Sequence, residues 1–210
     1  MNKILLIDGH SILNRAFYGV PPLTNFEGLH TNAVYGFINI MLKSLEDEHA
    51  DYIAVAFDLK APTFRHEMFA EYKGTRKPMP QELHEQVPVI KEVLAAMTIP
   101  VITLEGYEAD DILGTLAKRC QRDGFEVSIL SGDRDLLQLA DEHIKIRMPK
   151  TVKGQTSIEN YYPSDVIDKY QVTPEEFIDL KALMGDSSDN IPGVPGIGEK
   201  TATAIITKYK

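Results

Sequence analysis

Four short apolar segments alternate with longer segments of helical periodicity along the first part of the chain. The short segments are rich in Val and Ile, as buried strands are, and they span residues 3–7, 52–57, 101–104 and 126–130. Apolar residues recurring every three or four positions predict amphipathic helices, which span 34–45, 83–97 and 112–120, the second with a kink or restart at Pro88. This alternation predicts right-handed crossovers and a mainly parallel sheet covered on both faces. We therefore predict a three-layer α/β domain.

After residue 160 the pattern is helical, without a further strand segment. PSDVIDKY and TPEEFIDLKALMGD predict helices that begin at Ser164 or Thr173, with Pro174 at a first helical position. We therefore predict an α/β domain over residues 1–160 and a helical region over residues 161–210.

The segment IPGVPGIGEKTATAI places Gly196 and Gly198 between two helical segments, which predicts a helix-hairpin-helix element. It is not a P-loop, because Glu199 separates Gly198 from Lys200 and no strand precedes it. The backbone N–H groups of such a hairpin, with the helix N-terminus at Lys200, can hold a DNA phosphate without reading the base sequence.

The composition is that of an ordinary globular protein with a negative net charge. Its 210 residues include 22 Lys and Arg against 31 Asp and Glu, a formal charge of −9, which argues against a generally basic surface for nucleic acid. No apolar run is long enough to span a membrane and the chain start lacks a signal-peptide pattern, so we predict a cytoplasmic protein without membrane contact. The single cysteine, Cys120, lies on the apolar side of a predicted helix and is interpreted as a packing residue.

Acidic residues follow each of the four predicted strands. They are Asp8 after the first, Asp58 after the second, Glu108, Asp110 and Asp111 after the third, and Asp133 and Asp135 after the fourth. The carboxyl ends of parallel strands meet at one edge of a sheet, where open α/β sheets bind their ligands. Each acid alone could cap a helix or a turn, but all of them at one edge predict a shared site.

These carboxylates need a counter-charge, because like charges within a few ångströms raise one another's pKa. The basic residues nearest in sequence to Asp110 and Asp111 are Lys118 and Arg119, about two helical turns away. A metal ion is the simplest remedy, and all-oxygen ligation without His or Cys favours Mg²⁺ or Mn²⁺ over zinc. The number of acids indicates two ions, the arrangement that stabilises both the attacking and the leaving oxygen of a phosphodiester.

A basic segment with interleaved aromatic residues follows Asp58. The segment LKAPTFRHEMFAEYKGTRKPMP, about residues 60–80, carries Lys60, Arg65, Lys73, Arg76 and Lys77 together with Phe64, Phe69 and Tyr72. A run of charges is usually a solvated loop. Because this one begins at the predicted acidic edge, we favour a role in which its cations hold phosphates over the metals and its rings stack on bases.

The order of these motifs resembles the 5′ nuclease family related to flap endonucleases. The matching segments extend over the whole chain and are LLIDGHSILNRAFYG, VAFD, TFRHEMFAEYKGTRKPMP, EGYEADDILGTLA, LSGDRDLLQL and GDSSDNIPGVPGIGEKTA. The likeness is nearest to the 5′→3′ exonuclease domain that lies N-terminal to a bacterial DNA polymerase. It implies a PIN-like fold with a helix-three-turn-helix element, truncated here, in a native chain that continues into more of the nuclease domain and a polymerase.

The resemblance also assigns roles to residues of this chain. A first metal ion would be surrounded by Asp8, Asp58, Glu108 and Asp110. The second ion or its outer shell would involve Asp111, Asp133, Asp135, Asp186 and Asp189. The cations that match those contacting DNA are Arg65 and Lys73 at the scissile phosphate, then Arg76 and Lys77. The downstream duplex backbone and a K⁺ ion held by main-chain carbonyls would lie at the hairpin with Gly193, Gly196, Gly198 and Lys200.

The activity implied by the resemblance is hydrolysis of phosphodiester bonds in DNA during replication and repair. Water would attack in line, the metals would neutralise the developing charge, and Lys73 and Arg65 would assist. The implied substrates are 5′ flaps, nicks and recessed 5′ ends, including RNA primers paired with DNA. We expect a monomer that acts at the bacterial nucleoid.

Three other functions are compatible with parts of the sequence. A haloacid dehalogenase-type phosphatase also has a strand ending in Asp, but it needs a second Asp where this chain has His10. A small PIN-type ribonuclease would share the acidic edge, yet would need neither the basic aromatic segment nor the glycine hairpin. A non-catalytic binder of DNA junctions would be expected to lose some of the acids, and all are present. The sequence therefore favours a nuclease, with the ribonuclease and the junction binder as alternatives.

Overall fold

The computed structural model describes residues 1–152 and 155–209; residues 153, 154 and 210, which belong to the two predicted domains, lie outside it. The strands are β1 (Lys3–Asp8), β2 (Tyr52–Ala56), β3 (Val101–Ile102), β4 (Glu126–Leu130), β5 (Ile144–Val152), β6 (Gln155–Tyr161), β7 (Gly185–Asp186) and β8 (Ile191–Pro192). The helices are α1 (Gly9–Gly19), α2 (Asn32–Glu48), α3 (Phe64–Met68), α4 (Gln81–His84), α5 (Gln86–Ala96), α6 (Ala109–Arg122), α7 (Pro163–Tyr170), α8 (Glu176–Met184) and α9 (Glu199–Tyr209), with a 3₁₀ helix at Arg134–Leu139.

The first six strands form one sheet in the order β3-β2-β1-β4-β5-β6. Neighbouring strands from β3 to β5 run parallel, and β6 runs antiparallel to β5. Successive residues of a strand face opposite layers: Leu5 and Ile7 belong to the core shared with α1, α2 and α5, whereas Leu6 belongs to the core shared with α6. The predicted α/β fold with helices on both faces of a mainly parallel sheet is confirmed.

The C-terminal helices share a continuous apolar core with one face of the sheet. Phe177 of α8 and Ala202 of α9 are buried in the same cluster as the α6 side chains. Between these helices, Gly185 and Gly193 approach so closely that a Cβ on either would collide with the backbone of the other. This contact fixes the acidic turn, residues 186–190, next to the cavity at the end of β4.

The apolar pattern did not reveal strands β5 and β6. Ile144 and Ile146 alternate with charged residues as in a half-buried strand, but Pro149 and Arg147 obscure the signal. Arg147 is 3% exposed, and its guanidinium is paired with Glu48 at the end of α2. A buried ion pair thus occupies a position where an apolar residue would have marked the strand.

The helix boundaries differ from the prediction at three points. The second predicted helix forms α4 and α5, which join at Glu85, so the restart lies three residues before Pro88. α7 begins at Pro163 rather than at Ser164, in agreement with the preference of proline for the first turn. α8 begins at Glu176 rather than at Thr173, so Pro174 lies before the helix, although Thr173 and Glu176 exchange two hydrogen bonds.

Two further features bear on the predicted organisation. β6 ends at Tyr161 and α7 begins at Pro163; the division of the chain at residue 160 stays a prediction. Cys120 of α6 is half-buried against the apolar core.

Within residues 1–152 and 155–209, every helix is too short or too polar to cross a bilayer.

Gly9 allows α1 to begin directly against the end of β2. A Cβ at this position would lie 2.5 Å from the ring of buried Phe57. We expect Gly9→Ala to displace the ring and destabilise the protein by about 1–3 kcal/mol, the usual cost of overpacking a core. In the control Gly19→Ala the added Cβ meets no atom within 4 Å, so a change within about 0.5 kcal/mol is expected. Urea unfolding measures the free energy of unfolding of both variants. Equal stability of Gly9→Ala and Gly19→Ala would contradict this role of Gly9.

Candidate active site at the carboxyl edge of the sheet

The carboxyl ends of β1, β2 and β4 open into one groove of about 1080 Å³. Its acidic wall consists of side chains from the strand ends, the start of α6 and the turn after β7, namely Asp8, Asp58, Glu108, Asp110, Asp111, Asp133, Asp135 and Asp189. Asp186 lines an adjoining cavity of about 310 Å³. The structure therefore brings every acid that the sequence proposed as a metal ligand to one edge of the sheet.

Hydrogen bonds from the protein orient several of these carboxylates. Asp8 caps α1 by accepting from the Ser11 N–H at 3.0 Å, and it also accepts from Ser131 Oγ at 2.7 Å. Asp58 accepts from the Ala109 N–H at 2.7 Å, at the start of α6. These hydrogen bonds to backbone N–H groups at helix starts hold Asp8 and Asp58 in the wall of the groove.

Two cations of the basic segment neutralise part of the acidic wall. Lys73 Nζ lies 2.7 Å from Glu108 Oε1, and the Arg65 guanidinium donates two hydrogen bonds, of 2.7 and 2.8 Å, to Asp111. Burial would raise the pKa of Asp111, but the hydrogen bonds from Arg65 lower it below its usual value. The expectation that these acids lack basic neighbours is therefore wrong, because it considered only residues nearby in sequence.

Two more cations pair with the acids of the adjoining cavity. Arg76 pairs with Asp189. Lys181 of α8 lies between two carboxylates, with Nζ 2.9 Å from Asp135 Oδ1 and 2.6 Å from Asp186 Oδ2. Burial keeps the pKa of Asp135 raised despite the lysine, whereas for Asp186 the hydrogen bonds from Lys181 and a nearby serine outweigh burial and lower the pKa.

Asp8 and Asp110 form the unpaired centre of the wall. In the part of the chain that the structure describes, neither carboxylate has an ion pair with Lys or Arg. Burial, with the charges of Asp58 and Asp133 nearby, raises the pKa of Asp8 to about 6. Burial and the charges of Asp8 and Asp133 raise the pKa of Asp110 to about 8. Such a pair of carboxylates provides a place where a divalent cation would be stabilised.

Asp58 differs from this pair because His10 compensates part of its charge. Burial would raise the pKa of Asp58, but the contact with the His10 ring and the hydrogen bond from the Ala109 N–H lower it, and the Asp58 N–H donates to His10 Nδ1 at 3.2 Å. His10 Nδ1 lies 3.3 Å from Asp58 Oδ2, and its ring packs edge-on against Phe57 with centroids 5.1 Å apart. We interpret His10 as a residue that positions Asp58.

The donor set of the groove suits a hard divalent cation. Its candidate ligands are carboxylate oxygens, which favours Mg²⁺ or Mn²⁺ over zinc. Across residues 1–152 and 155–209, no three His, Cys, Asp or Glu side chains are already gathered around one point. Binding therefore requires the carboxylates to turn toward the ion, and some of them to leave their Lys or Arg partners.

Tyr72 lies inside the site and not on a base-stacking surface. It is 5% exposed, and its hydroxyl lies 2.9 Å from Glu108 Oε2 and 3.1 Å from Asp189 Oδ2. With one hydrogen it can donate to only one of them at a time, and burial with these two charges raises its pKa. The expectation that Tyr72 stacks on bases is wrong. Phe64, whose ring centroid lies 5.7 Å from that of Tyr107, remains exposed enough for that role.

The basic segment is bound to the acidic turn that follows β7. The Lys73 N–H donates to the Asp189 carbonyl at 2.9 Å, and the Asn190 side chain donates to the Glu71 carbonyl at 2.8 Å. Lys73 has a φ of 55°, a left-handed conformation that residues with a Cβ rarely adopt. The segment and the turn therefore form one unit that holds Lys73 at the groove.

Lys60, His84 and Lys91 form a basic end of the same groove. Lys60 Nζ lies 2.6 Å from His84 Nε2, and Lys91 Nζ lies 4.8 Å from the centroid of the Phe57 ring. Among the described residues, no carboxylate forms an ion pair with these three. Lys77 is exposed and does not line the groove. The groove thus extends from an acidic wall to a basic end.

The three glycines of the predicted hairpin have different backbone surroundings. A Cβ on Gly193 would collide with the backbone at Gly185, so this glycine serves packing. Gly196 has a φ of 80°, which favours glycine. A Cβ on Gly198 would meet no atom within 4 Å. The backbone at Gly198 is therefore open at the start of α9, near exposed Lys200.

Several residues of the site carry no assignment from the sequence, among them His10, Ser131 and Lys181. His10 and Ser131 follow the first and fourth strands within two residues, and this position is a usable signal. Lys181 has no comparable signal, because it lies within a helix and meets Asp135 only in the folded chain.

Known proteins resemble the chain over its whole length. The family model described as 5′-3′ exonuclease, N-terminal resolvase-like domain, matches residues 3–171, and the model described as 5′-3′ exonuclease, C-terminal SAM fold, matches residues 172–210. DNA polymerase I of Bacillus caldotenax is 55% identical over 207 residues, and DNA polymerase I of Bacillus subtilis is 54% identical over 207 residues. Both matches cover 99% of this chain, and the chain spans 23% of the length of each relative.

Solved structures with a similar fold include the D15 protein of bacteriophage T5. D15 co-crystallised with metal ions has a TM-score of 0.77 at 26% identity, and the match covers 99% of this chain and 75% of that one. A variant of the D15 flap endonuclease in complex with DNA and metal ions has a TM-score of 0.78 at 26% identity, with the same coverage. The catalytic core of Rad2 in complex with DNA, at 19% identity and a TM-score of 0.60, covers 99% of this chain and 62% of its own and shows likeness of fold alone.

Removal of one charge from the unpaired centre is expected to stabilise the metal-free protein at high pH. The folded pKa of Asp110 is about 8, above that of an unfolded Asp. As the pH rises from the pKa of Asp110 in the unfolded state to its pKa in the folded state, the ionisation of this residue increasingly favours unfolding. We expect Asp110→Asn, in EDTA at pH 8.5, to raise the free energy of unfolding by roughly 1–3 kcal/mol, allowing for its partial exposure. The gain should shrink as the pH falls toward 5.

Urea unfolding at both pH values measures this effect. Asp168→Asn, which removes an exposed carboxylate on α7, is the matched control and should change stability by less than about 0.5 kcal/mol. A loss of stability in Asp110→Asn at pH 8.5 would mean that the ionised Asp110 is favourably compensated and that the centre is not unpaired.

Proposed function

Because the chain belongs to the 5′-3′ exonuclease family, we propose that it is a metal-dependent 5′→3′ exonuclease and structure-specific 5′-flap endonuclease that hydrolyses phosphodiester bonds in DNA. The observation that carries this proposal is the groove, which joins the unpaired Asp8 and Asp110 to a basic end at Lys60, His84 and Lys91. Carboxylates without cations suit divalent metal ions, and cations without carboxylates suit the phosphates of a nucleic acid strand.

Two divalent ions, Mg²⁺ or Mn²⁺, would neutralise charge on the attacking and leaving oxygens of the phosphodiester. We assign to the first ion the acids of the unpaired centre and their neighbours, Asp8, Asp58, Glu108 and Asp110. We assign to the second ion or its surroundings Asp111, Asp133, Asp135, Asp186 and Asp189. This division is supported by the adjoining cavity, which is lined by four of the second set and none of the first.

Arg65 and Lys73 are placed to bind the scissile phosphate. Their side chains contact Asp111 and Glu108, which are both proposed ligands. Carboxylates that turn toward a metal ion release these cations to a phosphate in the same groove. Arg65 then offers the bidentate geometry that matches phosphate oxygens, and both groups stabilise the negative charge that develops on them during hydrolysis.

Other parts of the chain would hold the rest of the DNA. The basic end of the groove, with exposed Lys77 nearby in sequence, suits the single strand of a 5′ flap. The hairpin at Gly196 and Gly198, with Lys200, suits the backbone of the downstream duplex, and its main-chain carbonyls suit a K⁺ ion. Contacts to backbone rather than to bases allow nicks, recessed 5′ ends and RNA primers paired with DNA as substrates.

We place this activity in replication and repair at the nucleoid, in the bacterial cytoplasm. The chain would act as a monomer with a nuclease domain over residues 1–160 and a DNA-binding helical region from residue 161. Since its relatives named DNA polymerase I are longer by far, a polymerase that follows in the native protein is part of this proposal.

Two alternatives would use the same acidic edge. A PIN-type ribonuclease would not need the basic segment bound across the groove or the C-terminal hairpin. A non-catalytic junction binder would keep both features, but it would not need Asp8 and Asp110, whose raised pKa values show that their charges cost stability. Because the chain keeps both acids although their charges lower its stability, we favour a catalytic role.

Cleavage of a 5′-flap DNA labelled at its 5′ end tests the proposed function. With Mg²⁺ the wild-type chain should release short labelled products, and EDTA should abolish their release. Asp110→Ala should lower the rate by about 10²-fold or more, because it removes charge stabilisation at the reacting phosphate. Asp168→Ala, on the surface of α7, should cut at the wild-type rate.

The substrates distinguish the alternatives. Faster cleavage of an RNA strand without a flap would support the ribonuclease. The junction binder would be supported if the wild type binds the flap tightly but does not cleave it with Mg²⁺. A longer chain that contains the polymerase would have to give the same result. Either result would exclude the proposed activity.

Gly198→Ala tests the contact between the hairpin and duplex DNA. The added methyl group meets no protein atom within 4 Å, so stability should stay within about 0.5 kcal/mol. It would, however, hinder the approach of a phosphate to the backbone. We expect the dissociation constant for nicked duplex, measured by fluorescence anisotropy in EDTA, to rise by about fivefold. Gly19→Ala, which is equally unobstructed, should bind like the wild type; equal affinity of the two variants would contradict the role of the hairpin.

A further inference from the structure

The cavity next to the groove contains an ammonium group among several carboxylates. Asp133, Asp135, Asp186 and Asp189 line it. Lys181 reaches the cavity from α8 and lies within hydrogen-bond distance of two of these acids, Asp135 and Asp186. The Lys181 side chain is 25% exposed. Its charge is therefore largely withdrawn from solvent and compensated by the acids that we assign to the second metal ion.

Separate parts of the fold hold the three partners in place. Asp135 lies in the 3₁₀ helix after β4, Asp186 in β7 and Lys181 in α8. Ser188 donates from its N–H and its Oγ to Asp186 Oδ1, at 2.8 and 2.6 Å, and Lys181 contacts the other oxygen, Oδ2. The lysine thus links the α/β domain to the acidic turn through fixed carboxylates.

We propose that Lys181 is a built-in cation that occupies the place of the second divalent ion in the metal-free protein and competes with that ion for Asp135 and Asp186. This inference rests on the proposed two-metal function. The ammonium group and a divalent ion at the same carboxylates repel each other, and each lone pair that an oxygen gives to the ion is lost to the hydrogen bond from the lysine. Lys181 therefore lowers the affinity of the second ion while it stabilises the empty set of carboxylates.

Lys181 differs in this respect from the other cations of the site. Arg65 and Lys73 line the groove and can exchange a carboxylate for the scissile phosphate. Lys181 lines the smaller cavity and is not part of the groove wall. Asp8 and Asp110, by contrast, have no ion pair with Lys or Arg among the described residues. The competition should therefore affect the second ion and leave the ion at Asp8 and Asp110 unchanged.

Binding of Mn²⁺ to the metal-free chain tests the proposal, with free Mn²⁺ measured by electron paramagnetic resonance. The wild type should bind two ions. Lys181→Met, which keeps the length of the side chain and removes its charge, should lower the dissociation constant of the weaker ion by about tenfold, which corresponds to about 1.4 kcal/mol. Lys118→Met, at an exposed lysine of α6 that pairs with Asp141, should leave both constants unchanged.

The outcomes separate this inference from the proposed function. A wild-type chain that binds fewer than two ions overturns the two-metal function and this inference with it. Two ions in the wild type, with unchanged or weaker binding of the second ion by Lys181→Met, overturn only the role of Lys181.

A second measurement uses the wild type and does not depend on the folding of a variant. Acetic anhydride labels exposed lysine amines, and mass spectrometry of the digested protein reports the extent at each position. Reactivity of Lys181 should rise several-fold when Mn²⁺ saturates the second site, because its ammonium is released, while that of Lys118 should stay constant. Constant reactivity of Lys181 across the Mn²⁺ titration overturns the proposal.

Discussion

Repulsion among carboxylates held at one edge of a parallel sheet is the constraint on which the rest of this structure depends. The parallel order of β1, β2 and β4 directs the ends of these strands to the same edge, and the helices that follow begin there too. The fold offsets the repulsion with hydrogen-bond donors from the chain and with Arg65, Lys73, Arg76 and Lys181. Among the described residues, Asp8 and Asp110 have no Lys or Arg partner, and burial with the neighbouring carboxylates raises their pKa values. The other charges of the site surround these two acids, which still require a cation.

Arg65 and Lys73, which compensate two of the acids, are also the groups that we propose to bind a phosphodiester. Each of them forms an ion pair with a proposed metal ligand, and in our proposal one exchange of partners would release both groups. Metal ions and nucleic acid should therefore favour each other's binding, since each removes a partner that the other must displace. Without metal ions, these ion pairs reduce the repulsion among the carboxylates.

The sequence predicted those features that depend on local order, and it failed where partners are distant. Periodicity identified the strands that form the centre of the sheet, and position after a strand identified the acids of the groove other than those of the turn at residues 186–190. β5 was missed because Arg147 is buried by its ion pair with Glu48, which removes the apolar signal. The cations were not matched to their acids because 46 positions separate Arg65 from Asp111 and 35 separate Lys73 from Glu108. Tyr72 was assigned to bases for the same reason, since only the folded chain brings its hydroxyl to Glu108.

The unit formed by the basic segment and the acidic turn has a consequence for biosynthesis. The hydroxyl of Tyr72 meets Asp189 across 117 positions of sequence, and the backbone of Lys73 is held by the same turn. Chains leave the ribosome N-terminus first and domains begin to fold as they emerge, so the sheet can form while the turn is still inside the exit tunnel. Such a nascent chain has Asp8 and Asp58 in place, but Lys73 is not yet held and the second set of acids is incomplete. The proposed nuclease site would therefore be completed only when residues 186–190 have emerged, after the sheet that carries its first acids has folded.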